Sequence, residues 1–474
     1  MASLSHSMNI GSESLMANRQ GIDTTAHNIA NAQTEGYSRQ DVNLAQKNPM
    51  ARNGLVVGDG VYVGSIKRAH DQFIEKQVTK ATTKNGYSDK LYDNLQDFQL
   101  IFSPELESTV AEEMSGFFGA LQSLSNTPDD LTSRTVLVDQ ANNVSASFRR
   151  VDSEVKQKRS SLNDAIAARA REINDITGQI AKLNISIQSM EMTPAASAND
   201  LRDQQDRLVT KLSSIMDVSY YQDKDGMMCL RGPGETLLVD RRFAGTLECR
   251  ADGEDGGMFR LVNTEPGGGH AWDITDKVRS GEVKALLYVR DEVARPILDR
   301  NNELASVFIK SVNDIHQQGF GLNQFSDSIG RGFFENVRDP GNAAAEIEIS
   351  SLIQSSTDAI SVASSPNAKG DNVIANELLG LKSKKVMQDG NASFNDFYAN
   401  FVGVLGAEVV RSEHARDTDK IMLAELKGRK EMVSGVSLDE EAANMIKWQT
   451  AFTASSKVIT TVDEMFDTIL NMKR

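Results

Sequence analysis

The stretch HNIANAQTEGYSRQD, residues 27–41, ends a run of apolar residues that recur at heptad spacing near the start of the chain. These residues are Met8, Leu15, Ile22 and Ile29, with Leu4 on an adjoining position. Residues seven apart lie on one side of an α-helix, so the pattern predicts a helix with a single apolar seam. Asn28, Asn31 and Gly36 favour the end of that helix. Residues 58–63, GDGVYV, then indicate a short extended arm or hairpin.

The C-terminal end carries a matching pattern. Residues 437–440, SLDE, fit a capping box, in which the Ser and Glu side chains satisfy backbone donors at a helix start. The predicted C-terminal seam comprises Leu438, Met445, Phe452, Ile459 and Phe466 at heptad spacing, together with Leu470. Further apolar rows contain Val458, Met465, Met472, Val462 and Ile469. One partner helix cannot cover a surface of this width.

The two seams predict terminal helices that pair as a coiled coil. Burial along one seam offsets only part of the conformational entropy lost on ordering both ends, so an isolated pair should be marginal. We expect packing against neighbouring copies of the chain to supply the remainder. The alternative is that both termini dock on the core of their own domain.

Between the ends, the chain alternates two kinds of pattern. Amphipathic helical segments fill residues 81–217 and 276–434, with a short mixed segment near 330–370, and about sixty of these residues form one helix of about 90 Å. Residues 218–275 instead show strands joined by glycine turns. We therefore predict an elongated, mainly α multi-domain protein. Its inner domain comprises residues 1–80 and 435–474, a helical-bundle middle domain follows, and residues 218–275 form an outer β module.

Composition limits the possible functions. The 474 residues carry a formal net charge of -15, which argues against nucleic acid or an anionic membrane as a general partner. No ordinary secretory signal or membrane-spanning run is present, so the chain is cytoplasmic or leaves by another route. Cys229 and Cys249 permit at most one disulfide. Scattered histidines and glycine-rich turns without phosphate-loop or dinucleotide spacing predict no metal, no cofactor and no catalytic site.

The terminal residues resemble a known family. The segment DTTAHNIANAQTEGYSRQ, residues 23–40, is similar to the N-terminal signature of bacterial flagellar axial proteins, especially their hook-associated members. The segment SGVSLDEEAANMIKWQTAFTASSKVITTVDEMFDTIL, residues 434–470, resembles the other end of the same family. Internal segments such as DLRDQQDRLVTKLSSIMDVSYY add to the resemblance, which covers nearly the whole chain. Trp448 and Phe452 depart from the polar residue and the tyrosine that the resemblance leads us to expect.

The resemblance implies a structural subunit at the junction of hook and filament. It implies terminal helices buried in an innermost tube of identical subunits, and a turn that carries the chain outward, with Asn28, Asn31, Thr34, Gly36 and Tyr37 as its candidate residues. Implied partners are other copies of the chain, the hook protein on the proximal side, the second junction protein on the filament side, an export chaperone at the C-terminal region and the flagellar type III export apparatus. The implied location is extracellular, in the flagellum, without a cleaved signal peptide.

The main alternative is another axial subunit, namely a hook, rod or second junction protein, because these share the terminal patterns. Long helices directly after the arm favour a hook-associated protein over the sheet-rich hook and rod subunits. An enzyme and a cytoplasmic coiled-coil scaffold rank lower, since the first lacks a catalytic motif and the second does not explain the strand region.

Overall fold

The computed structural model describes residues 2–52, 55–103, 107–192, 197–253 and 256–472. Helix α1, Ala2–Asn31, opens the chain. A β-hairpin follows, in which β1, Gln40–Gln46, pairs antiparallel with β4, Val61–Arg68. Strands β2, Met50–Arg52, and β3, Leu55–Val57, form a smaller hairpin near its tip. The alternating arm is therefore a hairpin.

Four helices follow the arm. They are α2, Gln72–Ile101, α3, Val110–Asn126, α4, Leu131–Glu191, and α5, Asn199–Ile215. Side-chain caps stabilise the N-terminal ends of the first three of these helices. The Asp71 and Asp130 carboxylates accept backbone N–H bonds at α2 and α4, and Thr109 forms a capping box at α3.

Helix α4 sets the length of the molecule. Its 61 residues rise about 1.5 Å each, which gives a rod of about 90 Å. A compact globule of this chain length would have a radius of gyration of about 23 Å and therefore a diameter of only about 60 Å. The prediction of a sixty-residue helix and an elongated molecule is confirmed.

The strand region forms two antiparallel sheets. The first contains β5, Ser219–Gln222, β6, Met228–Arg231, β7, Leu237–Asp240, and β8, Phe243–Ala244, in chain order. The second contains β9, Thr246–Ala251, β10, Phe259–Thr264, and β11, Ala271–Asp273, with β10 in the centre. Both sheets contribute buried apolar residues to the core that they share with α4.

The chain then returns to helices. Helix α6, Glu282–Tyr288, continues through a π-helical turn, Val289–Val293, into α7, Ala294–His316. Short helices α8, Ala343–Glu346, α9, Ser351–Ser355, and α10, Val373–Gly380, follow. An isolated bridge joins Phe334 to Ile349 within the predicted mixed segment, and another joins Ala363 of that segment to Phe320, which lies before it.

The long helices meet around a phenylalanine cluster. Phe117 lies 5.6 Å from Phe308 and 5.7 Å from Phe333, measured between ring centroids, and both pairs are edge-to-face. Phe308 also packs against Phe394, 5.4 Å away, at the start of α11. Such pairs stabilise beyond their area burial. The cluster therefore joins α3, α7 and α11 into one core.

Two helices close the chain. Helix α11, Phe394–Ser434, packs along α2, where the buried Glu75 carboxylate pairs with Lys430 at 2.8 Å. Helix α12, Leu438–Met472, turns back and packs against α1. Within the described ranges, each helix is too short or too polar to cross a lipid bilayer.

Candidate assembly interface

The paired terminal helices α1 and α12 run antiparallel and touch along small and polar residues. Gly21 is buried against the indole of Trp448, so that a Cβ added to Gly21 would lie 2.6 Å from Trp448 Cε2. A Cβ at Gly11 would likewise lie 2.9 Å from Ile459 Cγ1. Both distances are shorter than carbon–carbon van der Waals contact, so only glycine permits this approach of the helices.

Side-chain hydrogen bonds cross the same contact. The Ser14 and Ser455 hydroxyl oxygens lie 2.9 Å apart, and Asn18 Nδ2 donates to Ser455 Oγ at 3.1 Å. Asn18 and Ser455 are both buried. Polar groups that are buried between helices need hydrogen-bond partners, and the Ser14, Asn18 and Ser455 side chains provide them for one another.

The predicted seams flank that contact. On α1, Leu4, Leu15 and Ile22 are half-buried, whereas Met8 and Ile29 are exposed. On α12, Met445, Phe452, Ile459 and Phe466 are half-buried, whereas Leu438 and Leu470 are exposed. The large apolar residues therefore keep much of their surface open to solvent.

Asn28 is the centre of the turn that leaves α1. Its Oδ1 accepts from the Gln40 amide at 3.0 Å, and its Nδ2 donates to the Gln40 carbonyl at 2.9 Å. The same Nδ2 donates to Glu441 Oε2 on α12 at 3.0 Å, and Tyr37 donates to Oδ1 at 2.7 Å. Asn28 is 1% exposed. One side chain thus ties together α1, the start of β1 and the start of α12.

The remaining turn residues support the hydrogen bonds around Asn28. Tyr37 packs edge-to-face on His27, and burial, with the nearby carboxylates of Asp200, Asp203 and Glu441, raises the pKa of its hydroxyl. The Tyr37 hydroxyl is therefore a permanent hydrogen-bond donor at neutral pH. Asn31 donates to the His27 carbonyl at 3.0 Å, and Thr34 donates to Asn31 Oδ1 at 3.3 Å.

Gly36 is required in this turn for two reasons. Its φ of 71° lies in the left-handed region, which strongly favours glycine. A Cβ there would also lie 2.6 Å from Arg207 Cγ on α5. Arg207 in turn donates to the Glu35 carbonyl at 3.2 Å. The turn therefore rests directly on α5.

The acidic N-terminal half of α5 binds the segment that leads from α1 into the hairpin. Arg68, at the end of β4, contacts Asp203 Oδ1 at 2.6 Å and Asp206 Oδ2 at 2.7 Å. The Ser38 amide donates to Asp203 Oδ2 at 2.9 Å, and Gln40 Nε2 donates to Asp200 Oδ1 at 2.8 Å. Since Asp203 is 2% exposed, its bonds to Arg68 and Ser38 are screened little by salt. The inner elements are thus anchored to the middle helices.

The arm covers another side of α1. His6 Nδ1 lies 3.4 Å from Asp59 Oδ1, and Lys47 pairs with Glu13. At the start of α12, the Ser437 hydroxyl accepts from the Glu440 amide at 3.5 Å, while the Glu440 carboxylate pairs with Arg39 at 3.3 Å. The predicted capping box is therefore only half formed, because Glu440 reaches the outgoing turn instead of its own helix start.

Comparison with known proteins identifies the family. Residues 95–334, just over half of the chain, match the profile described as "Flagellar hook-associated protein FlgK helical domain". The chain belongs to the flagellar hook-associated protein FlgK family. Residues 8–37 match "Flagella basal body rod protein", and residues 432–472 match "Flagellar basal body rod FlgEFG protein C-terminal". The rod profiles thus match only the shared ends, and the alternative of a hook or rod subunit is not favoured.

Relatives cover the chain from end to end. "Flagellar hook-associated protein 1" of Bacillus subtilis is 26% identical over 96% of this chain and 96% of its own length. The protein of that name from Escherichia coli is 24% identical over 99% of this chain and 100% of its own. The structure of the flagellar hook junction protein FlgK from Burkholderia pseudomallei covers 76% of this chain and 100% of its own, with 15% identity and a TM-score of 0.68, and shows the same fold. This FlgK family member is a structural protein of the bacterial flagellum, at the hook–filament junction.

Sequence reasoning missed the residues that touch between the paired helices of this FlgK family member. Glu441, Trp448 and Ser455 recur at the same heptad spacing as the predicted seam, and Glu441 and Ser455 are buried. Their partners on α1 are small or polar. The spacing was visible in the sequence, but the apolar rows on either side gave the stronger hydrophobic signal.

Proposed function

We propose that α1 and α12 build the inner tube of the junction by packing against neighbouring copies of the chain. The observation that carries this proposal is the apolar surface that the pair leaves exposed, including Met16 on α1 and Ile446 and Met465 on α12, which are 59%, 65% and 50% exposed. Contiguous exposed apolar residues mark interaction surfaces. The subunit-packing residues we propose are Leu4, Met8, Leu15, Ile22 and Ile29 on α1, and Leu438, Met445, Phe452, Ile459, Phe466 and Leu470 on α12.

Within this proposal the turn determines how the tube connects to the outer parts of the molecule. Asn28, Asn31, Thr34, Gly36 and Tyr37 hold the chain where it leaves α1 and passes to the arm. We assign residues 1–80 and 435–474 to the inner domain, residues 81–217 and 276–434 to the middle domain, and residues 218–275 to an outer β module. The anchoring of the turn on α5 supports a fixed angle between inner and middle domains.

Membership of the family supports a proposal for the remaining partners. We propose the hook protein on the proximal side, the second junction protein on the filament side, an export chaperone at the C-terminal region and the type III export apparatus. The protein would then act outside the cell without a cleaved signal peptide, as a subunit with no catalytic role and no cofactor. The net charge of -15 fits the proposal that neither nucleic acid nor a membrane is a partner.

Aspartate substitutions on the exposed face of α12 test the tube. We expect Ile446→Asp and Met465→Asp to leave the folded chain intact, because neither side chain is buried within it. Each should reduce filament attachment at least about tenfold, since burying one such side chain against a neighbour contributes about 1.5 to 3 kcal/mol. The measurement is a count of filament-bearing hooks in cells that make only the variant.

The matched control is Ile185→Asp, because Ile185 is 48% exposed on the middle helix α4. Its filament count should equal that of the unchanged protein. Normal filaments with both α12 variants would reject the inner-tube role.

A further inference from the structure

The contacts between α1 and α12 repeat with matching steps along both helices. Asn28 meets Glu441, Gly21 meets Trp448, and Ser14 meets Ser455. Each step of seven residues towards the start of α1 corresponds to a step of seven towards the end of α12. The contact at each level is chemically different, however: a buried amide with a carboxylate, a slot with an indole, and a pair of hydroxyls.

This difference between levels matters because apolar heptads repeat themselves. The large residues of the predicted seams are aliphatic or aromatic at every level, so they pack nearly as well after a slip of one heptad. The small and polar contacts do not. A slip would place the indole of Trp448 opposite Ser14 or Asn28, where the glycine slot is missing, and would separate Ser455 from Ser14 and Asn18.

The cost of a slip is greatest at Glu441. Its carboxylate is 2% exposed and accepts from Asn28 Nδ2 at 3.0 Å. A slipped α12 would bring Glu441 opposite Gly21, or past the end of α1, and Gly21 has no side-chain donor. The slipped carboxylate would keep only the long bond from Asn444 Nδ2 of its own helix, at 3.5 Å, and a buried carboxylate with so little hydrogen bonding is disfavoured.

We propose that Gly21, Trp448, Ser14, Asn18, Ser455, Asn28 and Glu441 form a register lock that permits one alignment of α1 with α12. The functional meaning of the lock rests on the proposed inner tube. A fixed alignment gives every copy of the chain the same relative position of the exposed apolar rows on α1 and α12. Trp448 is the specificity-determining residue, because its indole fits only at a glycine. Asn18 and Asn28 are positioning residues.

Intrachain disulfide trapping measures the alignment directly. In the full-length chain carrying Cys229→Ala and Cys249→Ser, one reporter is Ser14→Cys with Ser455→Cys, whose native oxygens lie 2.9 Å apart. The second reporter, Ser14→Cys with Val462→Cys, forms only after a slip of one heptad. We expect the first bridge to form at least about ten times more than the second, and equal yields would overturn the proposal.

The slot is tested by a compensating pair of substitutions. Gly21→Ala should lower the ratio of the two bridges at least about fivefold, because its Cβ would meet the indole. Adding Trp448→Ala should raise the ratio again, up to the value of Trp448→Ala alone, because no indole is then left to meet the new Cβ. Gly178→Ala is the matched control, since a Cβ on this helical glycine of α4 meets nothing within 4 Å, and it should leave the ratio unchanged. A Gly21→Ala effect that equals the control, or that Trp448→Ala does not relieve, would contradict the lock.

The trapping is carried out on the purified chain, so it does not depend on the tube. Filament counts with Ile446→Asp and Met465→Asp test the tube separately. A correct disulfide ratio with normal filaments in those variants would reject the tube and keep the lock. Equal yields of the two disulfides, together with a loss of filaments in those variants, would reject the lock and keep the tube.

Discussion

At the scale of single residues, the side-chain amide of a helical asparagine repeatedly takes the place of a neighbouring strand. Asn174 exchanges both hydrogen bonds with Leu247, at 2.8 Å each, and Asn313 accepts from the amides of Phe333 and Phe334 and donates to the Phe334 carbonyl. Asn28 does the same for Gln40. A side-chain amide carries a donor and an acceptor in nearly the geometry of a peptide, so it can pair the free edge of an extended segment. Helices and irregular segments are thereby joined without a continuous sheet.

His316 is a second buried residue with a fixed role. Its Nδ1 lies 2.8 Å from the Arg331 carbonyl and its Nε2 accepts from the Ser361 amide at 2.8 Å, so the imidazole is neutral. Burial lowers its pKa from the usual 6.5 to about 4. The unfolded chain therefore binds a proton between these values while the folded chain does not, and stability is lost as pH falls below 6.5.

We expect His316 to contribute a loss of about 1.4 kcal/mol in the free energy of unfolding for each pH unit between 6.5 and about 4. Urea unfolding at a series of pH values measures this slope. His316→Gln should be less stable at pH 7 but should lack that part of the slope. His414→Gln, at an exposed site on α11, should keep it. An identical slope in His316→Gln and the unchanged chain would show that His316 does not carry the effect.

At the scale of elements, the long patterns were predictable and the local geometry was not. Sixty residues of unbroken amphipathic spacing predicted α4, since little else in a chain sustains that period. The structure places a π-helical turn at Val289–Val293, just before Pro296, which has no backbone N–H to donate to the preceding turn. Asn28 was interpreted as a helix-ending signal, yet it lies inside α1 and acts through its side chain. Its partner Glu441 lies at the other end of the chain, so no local pattern reveals that hydrogen bond.

The strand region is more closely joined to the helices than its sequence suggested. Asn184 of α4 donates to the Met228 carbonyl at 2.8 Å, accepts from the Met228 amide at 2.9 Å and also accepts from Gln205 on α5 at 2.9 Å. Leu230, Leu238 and Leu261 lie in the same core as α4. The apolar faces of its strands need α4 to cover them, so the proposed outer β module shares its core with the middle domain.

Asn184→Ala should therefore destabilise the chain by about 2 to 4 kcal/mol, because it leaves the buried Met228 amide and carbonyl without partners. Urea unfolding gives the value. Asn143→Ala, at an exposed position on the same helix, is the control and should change stability by less than about 0.5 kcal/mol. If the two variants were equally stable, the amide of Asn184 would not be what joins α4 to the first sheet.

At the scale of the whole molecule, folding and assembly use separate surfaces. The main cluster of buried apolar residues runs from Leu91 to Val409 and, among the residues that the structure describes, takes none from α1 or α12. The terminal pair instead combines a narrow polar contact with wide exposed rows. A chain organised in this way can fold its middle before its ends have found their neighbours.

Removal of both terminal helices tests this separation. A chain without residues 1–31 and 438–474 should melt within about 4 °C of the full-length protein, because the main core loses no side chain. Phe308→Ala in the full-length chain is the contrast, since Phe308 is fully buried in the phenylalanine cluster and its truncation costs about 3 to 5 kcal/mol. Filaments are then counted in cells that make only one of these variants. We expect no filaments with the shortened chain, and a reduced number with Phe308→Ala at low temperature. If the melting point fell as far in the shortened chain as in Phe308→Ala, the terminal pair would be part of the folding core. The terminal helices would then be folded before assembly begins.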